Sequence, residues 1–151
     1  MKRLSLLLLL ALLGMTPSAS SFADADEIVV VVNQANPVRA AGRDTLRPIF
    51  QTTRTEWYGK SAVPVNLPED SPLRQRFDMA VLGLDPDGVA RYWIDRKIRG
   101  GERPPRKVPT ASAVLRAVGE EAGGIGYVAA SDLNPTVKVI ARIRDGQVVP
   151  P

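Results

Sequence analysis

The sequence predicts an α/β fold: one mixed β-sheet flanked by helices. Three observations carry this. Ile28 to Val32 is an unbroken run of β-branched residues, which suits a strand covered on both faces in the middle of a sheet. Amphipathic helical segments with proline, acid or hydroxyl starts alternate with short apolar runs. A Gly123-Gly124 stop then leads directly into another apolar run, Ile125 to Val128.

The expected element order is β-α-β-α-α-α-β-β. The first strand is "EIVVVVN", Glu27 to Asn33, followed by the loop "QANPVRAAGRD". In the next helix Asp44 is the expected N-cap, with Leu46, Ile49 and Phe50 on the inner face. Pro48 then falls in the first turn, where proline is best tolerated. "QTTRTEWYGKSA" reads as a polar loop carrying Trp57, with Trp57 and Tyr58 open to a surface role. Val63 to Leu67 is a short strand with Pro64 near its start.

"LPEDSPLR" then turns the chain into a helix with Leu73, Phe77, Ala80, Val81 and Leu84 on one side. Asp85-Pro86 starts the following helix as N-cap and first residue. Val89, Tyr92, Trp93 and Arg96 share its inner stripe, and Gly100-Gly101 ends it. "ERPPRKVP" is a proline-rich connection. Thr110 caps a helix that buries Val114, Leu115 and Val118. Val137 to Ile143 is the last strand.

The N-terminus has the layout of a secretory signal peptide. Lys2 and Arg3 precede the apolar stretch Leu4 to Leu13, and small and polar residues follow from Thr16 to Ala23. The apolar stretch is too short for a permanent span. Cleavage is expected after Ala23, with Ala25 as the alternative, so residues 1–23 are the leader and 24–151 the exported domain. A soluble periplasmic protein is the expected product. With no cysteine, a lipid anchor, disulfides and thiolate metal sites are excluded. With no histidine, Ser-His catalysis and most zinc sites are excluded as well. Neither enzymatic activity nor a cofactor is expected.

The chain has 20 basic and 16 acidic residues, and loss of Lys2 and Arg3 with the leader leaves 18 against 16. No basic stripe is interleaved with aromatics, so nucleic acid is not an expected partner. "RKIRGGERPPRK", Arg96 to Lys107, holds six basic residues and one acid. It could meet an anion, a phospholipid or an acidic partner, and reads more simply as a solvated helix end and loop.

"VVNQANPV", "LRPIFQTTRTEW", "VPVNLPEDSPLRQRF", "YWIDRKIRGGERPP" and "GGIGYV" occur in a definite order. Together they resemble one lobe of the phosphate-type periplasmic substrate-binding proteins of ABC importers, a type II periplasmic binding fold. The resemblance spans Ile28 to Ile143. It implies a binding protein, with phosphate or another oxyanion as ligand and an ABC permease or membrane sensor as partner. A full member of that family has two lobes with the ligand between them. A lone lobe implies weak capture unless a partner completes the cleft. Pairing of two copies is left open.

The resemblance also implies a ligand loop at Leu67 to Arg74, in place of the family's R-P-D-G-S-G-T-R. Leu67 stands at the phosphate-binding Arg, Asp70 and Pro72 at glycines, and Leu73 at the Thr. Ser71 and Arg74 remain as anion donors, Glu69 replaces an Asp acceptor, and Asp70 in the loop and Asn33 at the end of the first strand are further ligand-binding candidates. Read from residues alone, the same stretch is a capped helix start: Asp70 or Ser71 at the cap, Pro72 at the first position, acids near the positive end of the dipole. That capping reading is favoured over a working phosphate site.

Overall fold

The computed structural model describes residues 27–151, so the leader reading lies outside the described residues. In chain order the elements are β1 (Ile28–Asn33), α1 (Arg43–Phe50), β2 (Glu56–Trp57), β3 (Lys60–Ser61), β4 (Val63–Asn66), α2 (Pro72–Val81) and α3 (Pro86–Ile98). There follow β5 (Arg106–Lys107), α4 (Ala111–Glu120), β6 (Gly124–Ala129), a single 3-10 turn, β7 (Val137–Arg144) and β8 (Gln147–Val149). The expected order is present, with the short strands β2, β3, β5 and β8 added to it.

Six strands form one mixed sheet in the order β5-β4-β6-β1-β7-β8. β4 runs parallel to β5 and β6, and the other pairs are antiparallel. β1 lies inside the sheet, and Ile28 to Val32 are fully buried. Its β-branched side chains therefore pack on both faces. β6 shows how those faces are divided. A side chain added at Gly126 would sit 2.7 Å from Val114 of α4, so one face of β6 lies directly under that helix. Tyr127 points the other way and stacks on Phe77 of α2 with ring centroids 3.7 Å apart. Phe50 of α1 completes this cluster, edge-on to both rings. The sheet thus has α4 on one face and α1 with α2 on the other.

Local chemistry explains most element ends. Ser71, Asp85 and Thr110 each accept a backbone N–H as N-caps of α2, α3 and α4. Pro64 is tolerated within β4 because β5 pairs only with Val65 and Asn66, leaving Pro64 without a neighbour on that side. Three expectations are corrected. α1 begins at Arg43 with Gly42 as a cap that offers no side chain, so Asp44 sits in the first turn and Pro48 lies inside the helix. Trp57 is buried, because residues 56–61 form a β2–β3 hairpin rather than an open loop. Its turn residues Tyr58 and Gly59 both have positive φ, the signature of a type I′ turn. α2 ends at Val81, so Leu84 lies beyond the helix, while Arg74 and Asp78 join its buried side.

Phe77→Ala removes the ring that joins α2 to Tyr127 and Phe50. Urea unfolding is expected to show a loss of about 3–5 kcal/mol. A loss below about 1 kcal/mol would show that this cluster does not hold the helix layer to the sheet.

Candidate functional site

The 67–74 loop starts where β4 leaves the sheet. Asn66 is buried, and its Oδ1 accepts the Tyr127 hydroxyl proton at 3.0 Å. The Tyr127 oxygen in turn accepts Leu67 N–H at 3.4 Å. Burial raises the Tyr127 hydroxyl's pKa well above its usual range, so it remains a neutral hydrogen-bonding group. Asn66 O accepts Val108 N–H at 2.8 Å, which ties the end of β4 to the segment after β5.

The loop then closes on itself. Ser71 N–H donates to Pro68 O at 3.0 Å, and Ser71 Oγ accepts Arg74 N–H at 3.4 Å. Arg74 turns inward and is buried. Its Nη1 donates to Leu67 O at 2.9 Å and its Nε to Asp78 Oδ2 at 3.2 Å. Arg74 and Asp78 are one helical turn apart on α2, an i,i+4 pair removed from water. Glu69 Oε1 lies 3.6 Å from Arg74 Nη1. The same carboxylate accepts Lys107 Nζ at 2.9 and 3.1 Å.

These groups border a pocket of about 260 Å³ between α2, α3 and the segment before β5. Glu69, Arg74, Asp78 and Lys107 form its polar end, and Val89, Trp93 and the prolines at 104 and 105 its apolar wall. Burial pushes the Asp78 carboxyl up to about 6, with the Arg74 charge opposing that rise. The hydrogen bond from Lys107 lowers the Glu69 carboxyl. At neutral pH the polar end therefore carries two cations and two anions. It can recognise an anion only where one of the acids is displaced or neutralised.

The structure brings Glu69 and Arg74 together. Ser71 and Asp70 do not line the pocket: Ser71 caps α2, and Asp70 is exposed. Asn33 lies at the other end of the sheet. β4 is parallel to β6 with Val63 beside Gly124, and β1 is antiparallel to β6 with Val32 beside Ile125, so Asn33 shares an end with the start of β4. There Asn33 donates to the C-terminal carbonyls of α4, Val118 O and Gly119 O, and accepts Ala35 N–H. Asn36 likewise makes a local turn through Val38 N–H. Sequence reasoning missed Asp78, whose spacing from Arg74 was a usable signal. It also missed Lys107, which reaches Glu69 only through the β4–β5 pairing of Asn66 with Lys107. Among the described residues no cluster of acidic groups could hold a metal ion, and no helix is long and apolar enough to cross a membrane.

No family model and no curated protein matches the chain. Solved structures do. An ABC-type phosphate transport receptor from Vibrio cholerae is 21% identical, with a TM-score of 0.60 over 75% of this chain and 44% of that one. A putative phosphate ABC transporter substrate-binding protein with bound phosphate from Clostridium perfringens is 18% identical, with a TM-score of 0.62 over 80% and 45%. PstS from Borrelia burgdorferi is 10% identical, with a TM-score of 0.57 over 75% and 46%. The match covers less than half the length of each of those proteins. Its fold is that of a single lobe of a phosphate-type periplasmic binding protein, as the sequence resemblance implies.

The Asp78 carboxyl titrates at an ordinary 3.8 when unfolded and at about 6 when folded, a difference of roughly 3 kcal/mol. The folded state binds the extra proton, so this group's contribution is greatest at low pH and is lost as pH rises through 6. Glu69, with its lowered pKa, acts only below the ordinary carboxylate range and in the opposite sense. Unfolding free energy is expected to fall by roughly 2 kcal/mol from pH 4.5 to 7.5, and Asp78→Asn should flatten that slope. A wild-type profile that rises across this window would contradict the assignment.

Proposed function

We propose that this chain, with the fold of one binding-protein lobe, is an exported, non-enzymatic binding module of the periplasm. It holds a small oxyanion such as phosphate weakly between Arg74 and Lys107. The observation that carries this reading is the position of Glu69, whose carboxylate sits 3.6 Å from Arg74 and 2.9 Å from Lys107. A carboxylate between two cations occupies the place an oxyanion would take. Lys107 supplies the cation missing at Leu67, although from a different strand. The ligand enters by displacing Glu69, which is exposed and free to swing out. Glu69 thus competes with the ligand, and neutralisation of Asp78 below about pH 6 releases more of the Arg74 charge. Weak, acid-favoured capture follows. Ser71 then serves α2 as a cap and Asn33 serves α4, with neither bound to ligand.

A second reading is a docking module for an ABC permease or membrane sensor that needs no small ligand. The exposed Ile94 and Ile98, one turn apart on α3, favour it. In that case Ile94→Glu with Ile98→Glu abolishes recovery with inner-membrane partners, and sulfate does not bind.

Sulfate, whose charge is constant across this range, separates the two readings by calorimetry at pH 5.5 and 7.5. Binding is expected to be tighter at pH 5.5. Glu69→Gln should strengthen it by about tenfold and Lys107→Gln should weaken it by a similar factor. Weaker binding in Glu69→Gln would contradict the displacement reading, and no heat at millimolar sulfate in either protein would contradict capture altogether.

A further inference from the structure

The prolines at 104 and 105 separate the Arg74 pocket from a second groove on the other side of the same segment. This groove has a volume of about 370 Å³ and runs between the end of α1, residues 52–55, the start of β4 and residues 102–106. Its floor is apolar, with Ile49 fully buried and Val63 and Pro64 half-buried. Arg54, Arg103 and Arg106 border it, against one acid, Glu102. None of these three guanidiniums has a hydrogen bond or ion pair among the described residues.

The rim is fixed from behind. α3 ends at Ile98, Gly100 takes φ +72°, and Gly101 N–H returns to Arg96 O at 2.8 Å. Arg96 Nη2 reaches Thr52 O and Thr52 Oγ1, both at 3.4 Å. Arg96 thus ties the end of α3 to the loop that carries Arg54. Thr52 has φ +54°, a conformation a β-branched residue adopts only when its surroundings hold it there. Two prolines between Arg103 and Arg106 fix two backbone angles and limit relative motion of the arginines. The Arg96 Nε is buried and makes no hydrogen bond among the described residues.

Unpaired guanidiniums gathered on one groove repel one another, and a multivalent anion reverses that repulsion. A single phosphate group can engage one planar fork, whereas a phosphate chain can engage two or three at once. We propose that this groove binds a ligand with two or more linked phosphate groups, the chain lying across Arg54, Arg103 and Arg106. Where the chain is an ester, its body rests on Ile49, Val63 and Pro64. This site is separate from the Arg74 pocket and stands whether or not that pocket binds an anion.

Calorimetry on the full chain with tripolyphosphate, pyrophosphate and orthophosphate tests the assignment. Tripolyphosphate is expected to bind saturably and at least about tenfold more tightly than orthophosphate. The Arg103→Gln, Arg106→Gln double variant should lose about tenfold in tripolyphosphate affinity, and Arg54→Gln should lose part of that. A nucleoside diphosphate that binds more tightly than pyrophosphate would mark an ester as the preferred source, and the reverse a free phosphate chain. Equal affinity in wild type and the double variant would overturn the proposal. An equal loss from Arg116→Gln on α4 would also overturn it, because the attraction would then be diffuse. Binding to phosphatidylglycerol vesicles without saturable tripolyphosphate binding would overturn it in favour of a membrane surface.

Discussion

A buried guanidinium cannot be left without acceptors, and Arg74 imposes that requirement on everything near it. Its charge lies below the surface beside the aromatic layer of the fold. Leu67 must turn its carbonyl inward to accept Nη1, which sets the start of the loop. Asp78 must stand one turn further along α2 to accept Nε. The loop between them is short, so Ser71 falls at the cap and Pro72 at the first helical position. Tyr127 and Asn66 hold the other side of the same turn by hydrogen bonds to Leu67 N–H and to each other. The loop conformation is therefore determined mainly by how one cation is satisfied.

That arrangement alters the chemistry the loop can offer. Arg74 gives one N–H to a carbonyl and one to a carboxylate, so only its remaining donors face a ligand, and the α2 N-terminus is capped by its own serine. Positive charge still available at the pocket mouth comes from Lys107 on a neighbouring strand, and Glu69 already lies across it. The pair is exposed, so its strength in water is about 0–1 kcal/mol and an incoming anion can compete. Weak binding is thus a consequence of how the fold satisfies its own charges.

Much of the frame was legible in the sequence because its signals are local. The run of β-branched residues in β1, the Asp85-Pro86 start of α3 and the serine and threonine caps each act within a few residues of themselves. The close approach of α4 to Gly126 was not legible in the same way, because it depends on which helix covers β6. The short strands were less so. Asp145-Gly146, both at positive φ, form the β7–β8 turn and carried a recognisable hairpin signal that was not used. Tyr58-Gly59 gives the same turn type with an unusual first residue, which hid the β2–β3 hairpin. The site depended on pairing at long sequence separation. Neither the Lys107–Glu69 contact nor the placement of Asn33 away from the loop follows from any local pattern, because both are set by strand order. Arg74 was expected as an anion donor, and its burial with Asp78 shows how an i,i+4 ion pair can turn a polar stripe inward.

The Arg96–Lys107 segment read as a solvated connection, yet it forms one wall of each of two cavities. Lys107 lines the first, Arg103 and Arg106 line the second, and the prolines at 104 and 105 line both. Successive side chains of a strand point to opposite faces, so Arg106 and Lys107 of β5 present cations on two sides of one strip of chain. The central claim is that the Glu69 carboxylate fills the oxyanion position between Arg74 and Lys107. A crystal structure of Glu69→Gln soaked in selenate at pH 5.5 tests it most directly. The account predicts an anomalous peak within hydrogen-bonding distance of both Arg74 and Lys107. A peak at the Ser71 end of α2, or none with both side chains unmoved, would contradict it.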